Sequence, residues 1–195
     1  MKPKIFVGVP CLDHVRTQTA NTLISLVRSL PYIEKIVFQQ RCYIHLSREK
    51  LAKMALDEGY SHILFIDSDM CFSPLVIERL LSRDKDIIAG LYYHRRLPLE
   101  PVVGMINKEG LPMTLKEIPK DIFKCYAAGT GCMLIKTSVF KRMPKPWFFY
   151  EPPNEIDDGI GEDTWFCKKA NESGIEVWVD PTVQVGHIGE IIFQQ

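Results

Sequence analysis

Two aspartates, Asp67 and Asp69, follow an apolar segment and are separated by Ser68. The segment, Ile63–Ile66, has the continuous apolar character of a strand that is covered on both faces. In open α/β sheets, ligands bind beyond the carboxyl ends of the strands. Residues two apart on a strand face the same side, so we expect both carboxylates to converge on one cation if strand geometry continues through them. Oxygen ligands of this kind favour Mg²⁺ or Mn²⁺.

Two further acids, Glu162 and Asp163, follow Gly161 at the predicted start of a helix. Their simplest role is to complement the helix dipole, which favours negative charge in the first turn. The same dipole is expected to lower the pKa of a carboxylate there and keep it ionised, so that it can accept a proton from an attacking hydroxyl. The residues alone leave both interpretations open.

A histidine, His187, follows the last predicted strand and has Gly186 and Gly189 close by. It is either a surface residue or a ligand. The glycines allow close approach of the backbone, and a neutral imidazole could complete an oxygen-rich metal shell. His187 is therefore kept as a candidate ligand.

The first half of the chain alternates strand and helix patterns, which predicts a parallel sheet with helices on both faces. Ser47 and Ser73 are predicted helix N-caps, Pro74 is placed at a first helical position, and Gly59 is expected to end the second helix. The predicted elements are the strand Ile5–Val9, the helix Thr19–Leu30 with Leu23, Leu26, Val27 and Leu30 on its apolar side, the strand Lys35–Phe38, a helix with Leu51, Met54, Ala55 and Leu56 on its buried side, the strand ending at Asp67, the helix Leu75–Ser82 and the strand Asp86–Leu91.

The pattern changes after residue 91. Between residues 92 and 125 four prolines interrupt short apolar runs, which indicates hairpins and loops. The predicted elements that follow are the strand Cys132–Ile135, a short helix capped by Thr137, the helix Asp163–Ser173 ended by Gly174, and strands at Val177–Val179 and Val183–Val185.

Composition excludes several classes of protein. The 195 residues are expected to form one domain, and the 24 basic and 24 acidic side chains cancel, so a surface for a nucleic acid polymer is not expected. The six cysteines are scattered and form no C-x-x-C pair, which favours core thiols in a reducing compartment. We find neither a signal-peptide pattern nor a membrane span, which predicts an intracellular, cytoplasmic protein.

These motifs resemble those of a GT-A fold glycosyltransferase, close to family 2. The resemblance covers nearly the whole chain: Val7–Pro10 as the opening strand, Ile66–Met70 as the D-x-D motif and Gly161–Asp163 as the E-D motif. It implies a Rossmann-like, mostly parallel sheet with helices on both faces and a small mixed β acceptor region. Residues 1–91 would form the nucleotide-sugar-binding half of the single domain 1–195, and residues 92–195 the acceptor and catalytic half.

The resemblance also implies a function, namely metal-dependent transfer of a sugar from a UDP- or GDP-sugar to a hydroxyl of a glycan, protein or small-molecule acceptor. Asp163 would be the general base of an inverting reaction, with Glu162 as helper or alternative. Mn²⁺ or Mg²⁺ would be held by Asp67, Asp69 and His187, with Asp69 the more direct ligand. The implied nucleotide-sugar-binding residues are Pro10, Gln39, Arg48, Asp67, Ser68, Asp69, Gly129, Thr130 and Gly131.

Several points remain open on the sequence. Arg48 is either near the nucleotide or a surface residue, and Gly129–Gly131 is either a turn that sugars approach or an ordinary β-turn. Gln39-Gln40 stands where many members carry an aspartate, which leaves the base undefined. Aromatic residues that either stack on acceptor sugars or fill the core are Trp147, Phe148, Phe149 and Tyr150. The loop before the E-D motif has further acids that could serve a retaining reaction, namely Glu151, Glu155, Asp157 and Asp158.

Three other functions fit parts of the pattern. A nucleotidyltransferase shares the architecture, but it usually has a Gly- and Arg-rich phosphate loop that Gly8–Leu12 does not match. A phosphatase with a nucleophilic aspartate places its D-x-D after the first strand. A non-catalytic protein that binds nucleotide sugars or sugars would not need an ionised base beside the metal.

Overall fold

The structure is a computed structural model that describes residues 2–107, 112–115, 117–153 and 159–190. The strands in these ranges are β1 (Ile5–Pro10), β2 (Ile33–Gln39), β3 (His62–Ile66), β4 (Met70–Cys71), β5 (Ile87–Leu91), β6 (Val103–Ile106), β7 (Pro112–Thr114), β8 (Phe123–Cys125), β9 (Ala127–Ala128), β10 (Cys132–Lys136), β11 (Val177–Gln184) and β12 (Gly186–His187). The helices are α1 (Thr17–Ser29), α2 (Ile44–Asp57), α3 (Leu75–Ser82), α4 (Val139–Arg142) and α5 (Glu162–Glu172).

A seven-stranded sheet in the order β2-β1-β3-β10-β5-β11-β8 forms the centre of the fold. Strand β1 pairs in parallel with β2 and β3, and β5 pairs in parallel with β11. Strand β10 is antiparallel to both of its neighbours, β3 and β5, and β8 is antiparallel to β11. The α/β fold with a mostly parallel sheet is therefore confirmed. The strands β1, β2, β3 and β5 of the first 91 residues all run in the same direction, as expected, but β10 from the second half of the chain lies between β3 and β5.

Helices cover both faces of this sheet, as predicted. On one face the core contains Leu51 and Ala55 of α2 and Phe166 of α5, and on the other it contains Leu26 of α1 and Ile77 of α3. The two clusters receive alternate side chains of β3, and all four residues 63–66 are fully buried. The apolar segment before Asp67 is thus a central strand with both faces covered.

The predicted N-caps are wrong at three helices. Helix α2 begins at Ile44, so Ser47 lies inside its first turn and is buried. Pro74 itself precedes α3, and no side chain caps that helix. Thr137 lies one residue before the N-cap position of α4, and its hydroxyl donates to the carbonyl of Tyr60 at 2.6 Å instead. These hydroxyl residues therefore contribute to tertiary packing rather than to capping.

Helix ends and apolar faces agree better with the sequence pattern. Gly59 and Gly174 follow α2 and α5 with φ of 76° and 72°, the left-handed geometry in which glycine ends a helix. Helix α1 begins at Thr17, two residues before the predicted start, and leaves Val27 52% exposed. Among the described helices, none combines the length and apolar character that a membrane crossing requires.

Two small sheets complete the fold. Strands β7, β6 and β9 form an antiparallel sheet, in agreement with the hairpins expected after residue 91. Strands β4 and β12 form a two-residue antiparallel ladder in which His187 pairs with Met70. The two strands expected near residues 177–185 are one strand, β11, with a register shift between Asp180 and Gln184. All six cysteines are free thiols.

Candidate active site

The D-x-D motif forms a turn at the carboxyl end of β3. The strand ends at Ile66, and the Met70 amide donates to the Asp67 carbonyl at 3.2 Å. Strand geometry, which was the condition for both acids to converge on one cation, does not continue through them, because a turn begins at Ser68. The carboxylates of Asp67 and Asp69 consequently contact different basic side chains.

Arg48 joins the D-x-D turn to the E-D motif. It lies on α2 and is only 2% exposed, so its interpretation as a surface residue is wrong. Its Nη2 donates to Asp67 Oδ1 at 2.7 Å, and its Nε donates to Glu162 Oε1 at 3.2 Å. Burial alone would lower the pKa of Arg48, but the carboxylates of Asp67 and Glu162 raise it above its ordinary value. A permanently charged guanidinium thus holds the two acidic motifs together.

The second aspartate, Asp69, has His187 and Arg95 as partners. Arg95 Nη1 lies 2.9 Å from Asp69 Oδ2, and His187 Nε2 lies 3.6 Å from the same oxygen. The β4–β12 ladder creates this contact, and the Ile188 amide donates to the Asp69 carbonyl at 2.9 Å. Burial opposes ionisation of Asp69, but His187 and Arg95 keep its pKa below the ordinary value. The Asp69 carboxylate in turn raises the pKa of His187, because it accepts a hydrogen bond from the protonated ring.

Asp69 and His187 are the two predicted metal ligands that the structure brings into contact. His187 Nδ1 lies 2.8 Å from the Tyr93 carbonyl, so Nδ1 carries the proton in the neutral ring and the Nε2 lone pair faces Asp69. Within the described ranges no group of three or more His, Cys, Asp or Glu residues could hold a metal. A two-ligand site remains compatible with Mg²⁺ or Mn²⁺, because such ions commonly use one or two protein ligands together with substrate phosphates.

Helix α5 begins at Glu162, with Gly161 as its N-cap residue. Asp163 Oδ1 accepts a hydrogen bond from the Thr164 amide at 2.7 Å. Burial and the neighbouring charge of Glu162 raise the pKa of Asp163 above its ordinary value. The predicted lowering by the helix dipole is therefore wrong for Asp163. A raised pKa makes the ionised carboxylate a stronger base.

The turn Gly129–Gly131 packs against the D-x-D motif. The Asp67 amide donates to the Gly131 carbonyl at 3.0 Å, and the Gly131 amide donates to Tyr92 Oη at 3.2 Å. Thr130 is buried, and its hydroxyl has no hydrogen-bond partner within the described part of the chain. Glycine is needed at residues 129 and 131 for packing within the protein, because Tyr92 occupies the space that a side chain would need there.

Gly129→Ala tests this packing. A Cβ at residue 129 would overlap the Tyr92 hydroxyl and lie 2.7 Å from Val102 Cγ1. We expect the free energy of unfolding to fall by about 1–3 kcal/mol, the usual effect of overpacking. Denaturant unfolding monitored by tryptophan fluorescence measures this change. Gly189→Ala is the control, since its nearest contact would be an ordinary 3.6 Å, and an equal loss of stability in both variants would contradict the interpretation.

Two cavities lie beside these motifs. The first, of about 260 Å³, is lined by the predicted residues Pro10, Asp67, Ser68 and Asp69. Ser47 also lines it, together with residues that the sequence interpretation missed: Cys11, Leu12, Cys42 and Ile44. These missed residues follow the carboxyl ends of β1 and β2, where the rule for ligands in α/β sheets could have located them. We call this space the donor cavity.

The second cavity, of about 640 Å³, is lined by Gly129 and Asp163 among others. Gln39 lines neither cavity, and its side-chain amide donates to the Gln40 carbonyl at 3.4 Å. Sequence interpretation also missed Arg95 and Tyr92, although both follow the end of a buried strand. We call the second space the acceptor cavity.

The remaining candidates have mixed outcomes. Trp147 and Phe148 are buried in the core, whereas Phe149 and Tyr150 are partly exposed. Of the spare acids, Glu151 is exposed and its backbone pairs with Ile160. The other three, Glu155, Asp157 and Asp158, lie outside the described residues.

Comparison with known proteins gives structural but not sequence matches. Neither protein-family models nor curated protein sequences matched the chain. A197 from STIV superposes with a TM-score of 0.67 at 20% identity, over 97% of this chain and 87% of that one. GalNAc-T7, whose crystal structure contains UDP, GalNAc and Mn²⁺, gives 0.56 at 12% identity, over 97% of this chain and 44% of that one. TarS of S. aureus superposes with a TM-score of 0.52 at 17% identity, over 91% of this chain and 35% of that one.

These likenesses concern the fold. The chain spans less than half of GalNAc-T7 and of TarS. Both are glycosyltransferases of the GT-A type, and the α/β architecture with a mostly parallel seven-stranded sheet is shared with them. The chain therefore has the GT-A fold.

Proposed function

We propose that the chain is a metal-dependent glycosyltransferase that moves a sugar from a nucleotide-diphosphate sugar to an acceptor hydroxyl. The observation that carries the proposal is the position of Arg48, which contacts Asp67 of the D-x-D turn and Glu162 beside Asp163. A cation-binding turn and a basic carboxylate are thereby held at one edge of the sheet, with a cavity beside each. The presence of UDP, GalNAc and Mn²⁺ in the structure of GalNAc-T7, which has the same fold, supports the choice of donor.

The residues divide between donor and acceptor. The donor cavity would hold a UDP- or GDP-sugar, with Pro10 and Ser68 in its walls and Arg95 near the diphosphate. Asp163 would take the proton from the acceptor hydroxyl as its oxygen bonds to the anomeric carbon. The bond from that carbon to the diphosphate oxygen breaks, and its electron pair leaves with the nucleoside diphosphate. Attack from the side opposite the leaving group inverts the configuration.

Asp69 and His187 would hold Mn²⁺ or Mg²⁺, with Asp67 as the further acid of the predicted set. Asp67 Oδ1 is engaged by Arg48, whereas its Oδ2 has no hydrogen-bond donor among the described residues. When bound, such an ion neutralises the charge that develops on the diphosphate. Arg95 supplies positive charge beside Asp69 in its absence.

Asp69→Ala tests the donor site. We expect release of nucleoside diphosphate from UDP- and GDP-sugars to require Mn²⁺ or Mg²⁺ and to fall about 10²–10³-fold in the variant, because one group that stabilises transition-state charge is lost. Asp57→Ala removes an exposed acid on α2 and is expected to keep wild-type turnover. Metal-dependent turnover that survives in Asp69→Ala would contradict the proposal.

A further inference from the structure

The acceptor cavity lies against β6, β9 and the first turn of α5. Its walls are mainly apolar and include Val102, Val103, Met105 and Ile160, with Asp163 at one side. Val103 and Met105 pack against the core beneath them yet stay partly exposed on the cavity side. The cavity is therefore an apolar recess that ends at the proposed base.

This lining does not suit a fully hydroxylated acceptor. Each sugar hydroxyl that loses water needs a hydrogen-bond partner, and a hydroxyl left without one weakens binding. The Val, Met and Ile side chains offer dispersion contacts but no hydrogen bonds, and the polar side chains His94, Tyr126 and Thr164 serve only part of the wall. An alkyl or aryl body would instead gain free energy by covering them, at roughly 25 cal/mol per Å² of apolar surface removed from water.

One cation in the wall has no counter-charge among the described residues. Lys168 lines the cavity, and it makes neither an ion pair nor a hydrogen bond within the ranges that the structure describes. The acid on the opposite rim, Glu100, is already paired with Arg96. Lys168 follows Asp163 by five residues on α5, which corresponds to about 7.5 Å along the helix axis. Within the described part of the chain, the cavity thus offers a base at Asp163 and an unpaired positive charge at Lys168.

We propose that the acceptor is an apolar hydroxyl compound that carries an anionic group. Its body covers the apolar walls, its hydroxyl reaches Asp163 and its anion pairs with Lys168. The proposal rests on the proposed glycosyl transfer for the fate of the hydroxyl, whereas the ligand class follows from the cavity alone. Because Asp163 and Lys168 are five residues apart on one helix, probes with about six carbon atoms between hydroxyl and anion are a suitable first choice.

Three six-carbon probes separate the contribution of the apolar chain to binding from that of the anionic group. The first, 6-hydroxyhexanoate, has an apolar chain and an anion; 1,6-hexanediol has the chain without the anion; gluconate has the anion with a hydroxylated chain. Binding is measured without donor by saturation-transfer NMR, and acceptor-stimulated release of nucleoside diphosphate is measured with donor and metal. We expect 6-hydroxyhexanoate to bind about fivefold more tightly than 1,6-hexanediol, the value of a partly exposed ion pair. Gluconate is expected to bind most weakly.

Lys168→Met is the matching variant. It is expected to remove the fivefold preference for 6-hydroxyhexanoate over 1,6-hexanediol while leaving hexanediol binding unchanged. Lys141→Met changes an exposed lysine on α4 and is expected to alter neither affinity. The variants replace partly or fully exposed side chains, so both are expected to fold, and thermal unfolding checks this.

Two results would overturn the inference: gluconate binding as tightly as 6-hydroxyhexanoate, or an anion preference that persists in Lys168→Met. The binding arm needs no turnover, so it decides the ligand class independently of catalysis. Donor hydrolysis without stimulation by any probe that binds would also count against the acceptor role. Absence of any donor turnover, with probe binding intact, would contradict the proposed function and not the ligand class.

Discussion

Replacing Arg48 by methionine is expected to lower the free energy of unfolding by about 3–5 kcal/mol, the largest stability loss we predict for a single side chain. Arg48 is buried, and its two partners, Asp67 and Glu162, have side chains that are only 27% and 15% exposed. Methionine fills much of the space but leaves both carboxylates without their counter-charge, and removing one member of a buried ion pair has an effect of this size. Denaturant unfolding at neutral pH measures the change.

The control for Arg48 is a comparable ion pair near the surface. Arg142 pairs with Asp86 at 2.6 Å, but its side chain is 48% exposed. Arg142→Met is therefore expected to change the free energy of unfolding by less than about 1 kcal/mol. Arg48→Lys should recover only part of the loss, since an ammonium group lacks the planar fork that donates to two carboxylates. If Arg48→Met and Arg142→Met lower the free energy of unfolding by the same small amount, the conclusion that Arg48 holds the two acidic motifs together is wrong.

Asp163→Asn is expected to reduce glycosyl transfer by about 10²–10⁴-fold, the usual contribution of a general base. The amide oxygen can still accept the hydrogen bond from the Thr164 amide, so the local structure is retained. Initial rates of nucleoside diphosphate release, with acceptor present, measure the effect. Metal-dependent binding of the nucleoside diphosphate, measured by calorimetry, is expected to stay close to that of the wild type.

The direction in which Asp163→Asn changes the free energy of unfolding distinguishes a general base from a residue that stabilises the fold. Burial and Glu162 raise the pKa of Asp163, so the folded state binds its proton more tightly than the unfolded chain does. The stability that this proton confers is present at acid pH and is lost as the pH rises through the folded-state pKa. The neutral amide avoids that loss, and Asp163→Asn is expected to be at least as stable as the wild type at neutral pH.

Glu162→Gln provides the comparison within the same motif. Glu162 accepts from Arg48, so its neutralisation is expected to reduce stability more, and transfer less, than Asp163→Asn does. The rate of transfer by the wild type is expected to fall as the pH drops through the raised pKa of Asp163. A transfer rate that is lost in Glu162→Gln and retained in Asp163→Asn would reverse the assignment of the base.

The sequence pattern was sufficient for local features but not for contacts between distant segments. The buried strand before Asp67 was predictable, because a short continuous apolar run that ends in two acids is typical of a strand covered on both faces. The place of β10 between β3 and β5 was not, because an apolar run has the same appearance in parallel and antiparallel pairing. Thr137 was predicted as a cap from its neighbours alone, whereas a carbonyl from residue 60 binds its hydroxyl.

The same distinction holds within the candidate site. The positions of Asp69 and His187 were predictable as strand ends, but their contact depends on the two-residue β4–β12 ladder, which has no sequence signature. Arg48 resembled an ordinary polar residue near a helix start, since its burial depends on carboxylates from two other elements. The pKa of Asp163 was predicted in the wrong direction, because burial and Glu162 outweigh the helix dipole.

The contacts of Arg48 also determine when in folding the site can form. Its partner Asp67 lies 19 residues away along the chain, whereas Glu162 lies 114 residues away. Closing the longer loop demands more chain entropy and depends on contacts that form slowly. We therefore expect a folding intermediate, or a chain emerging from the ribosome, to pair Arg48 with Asp67 first. His187 also comes from beyond Glu162, so the proposed metal site and the proposed base would both be completed only after the segments that follow residue 160 have packed against β3 and α2.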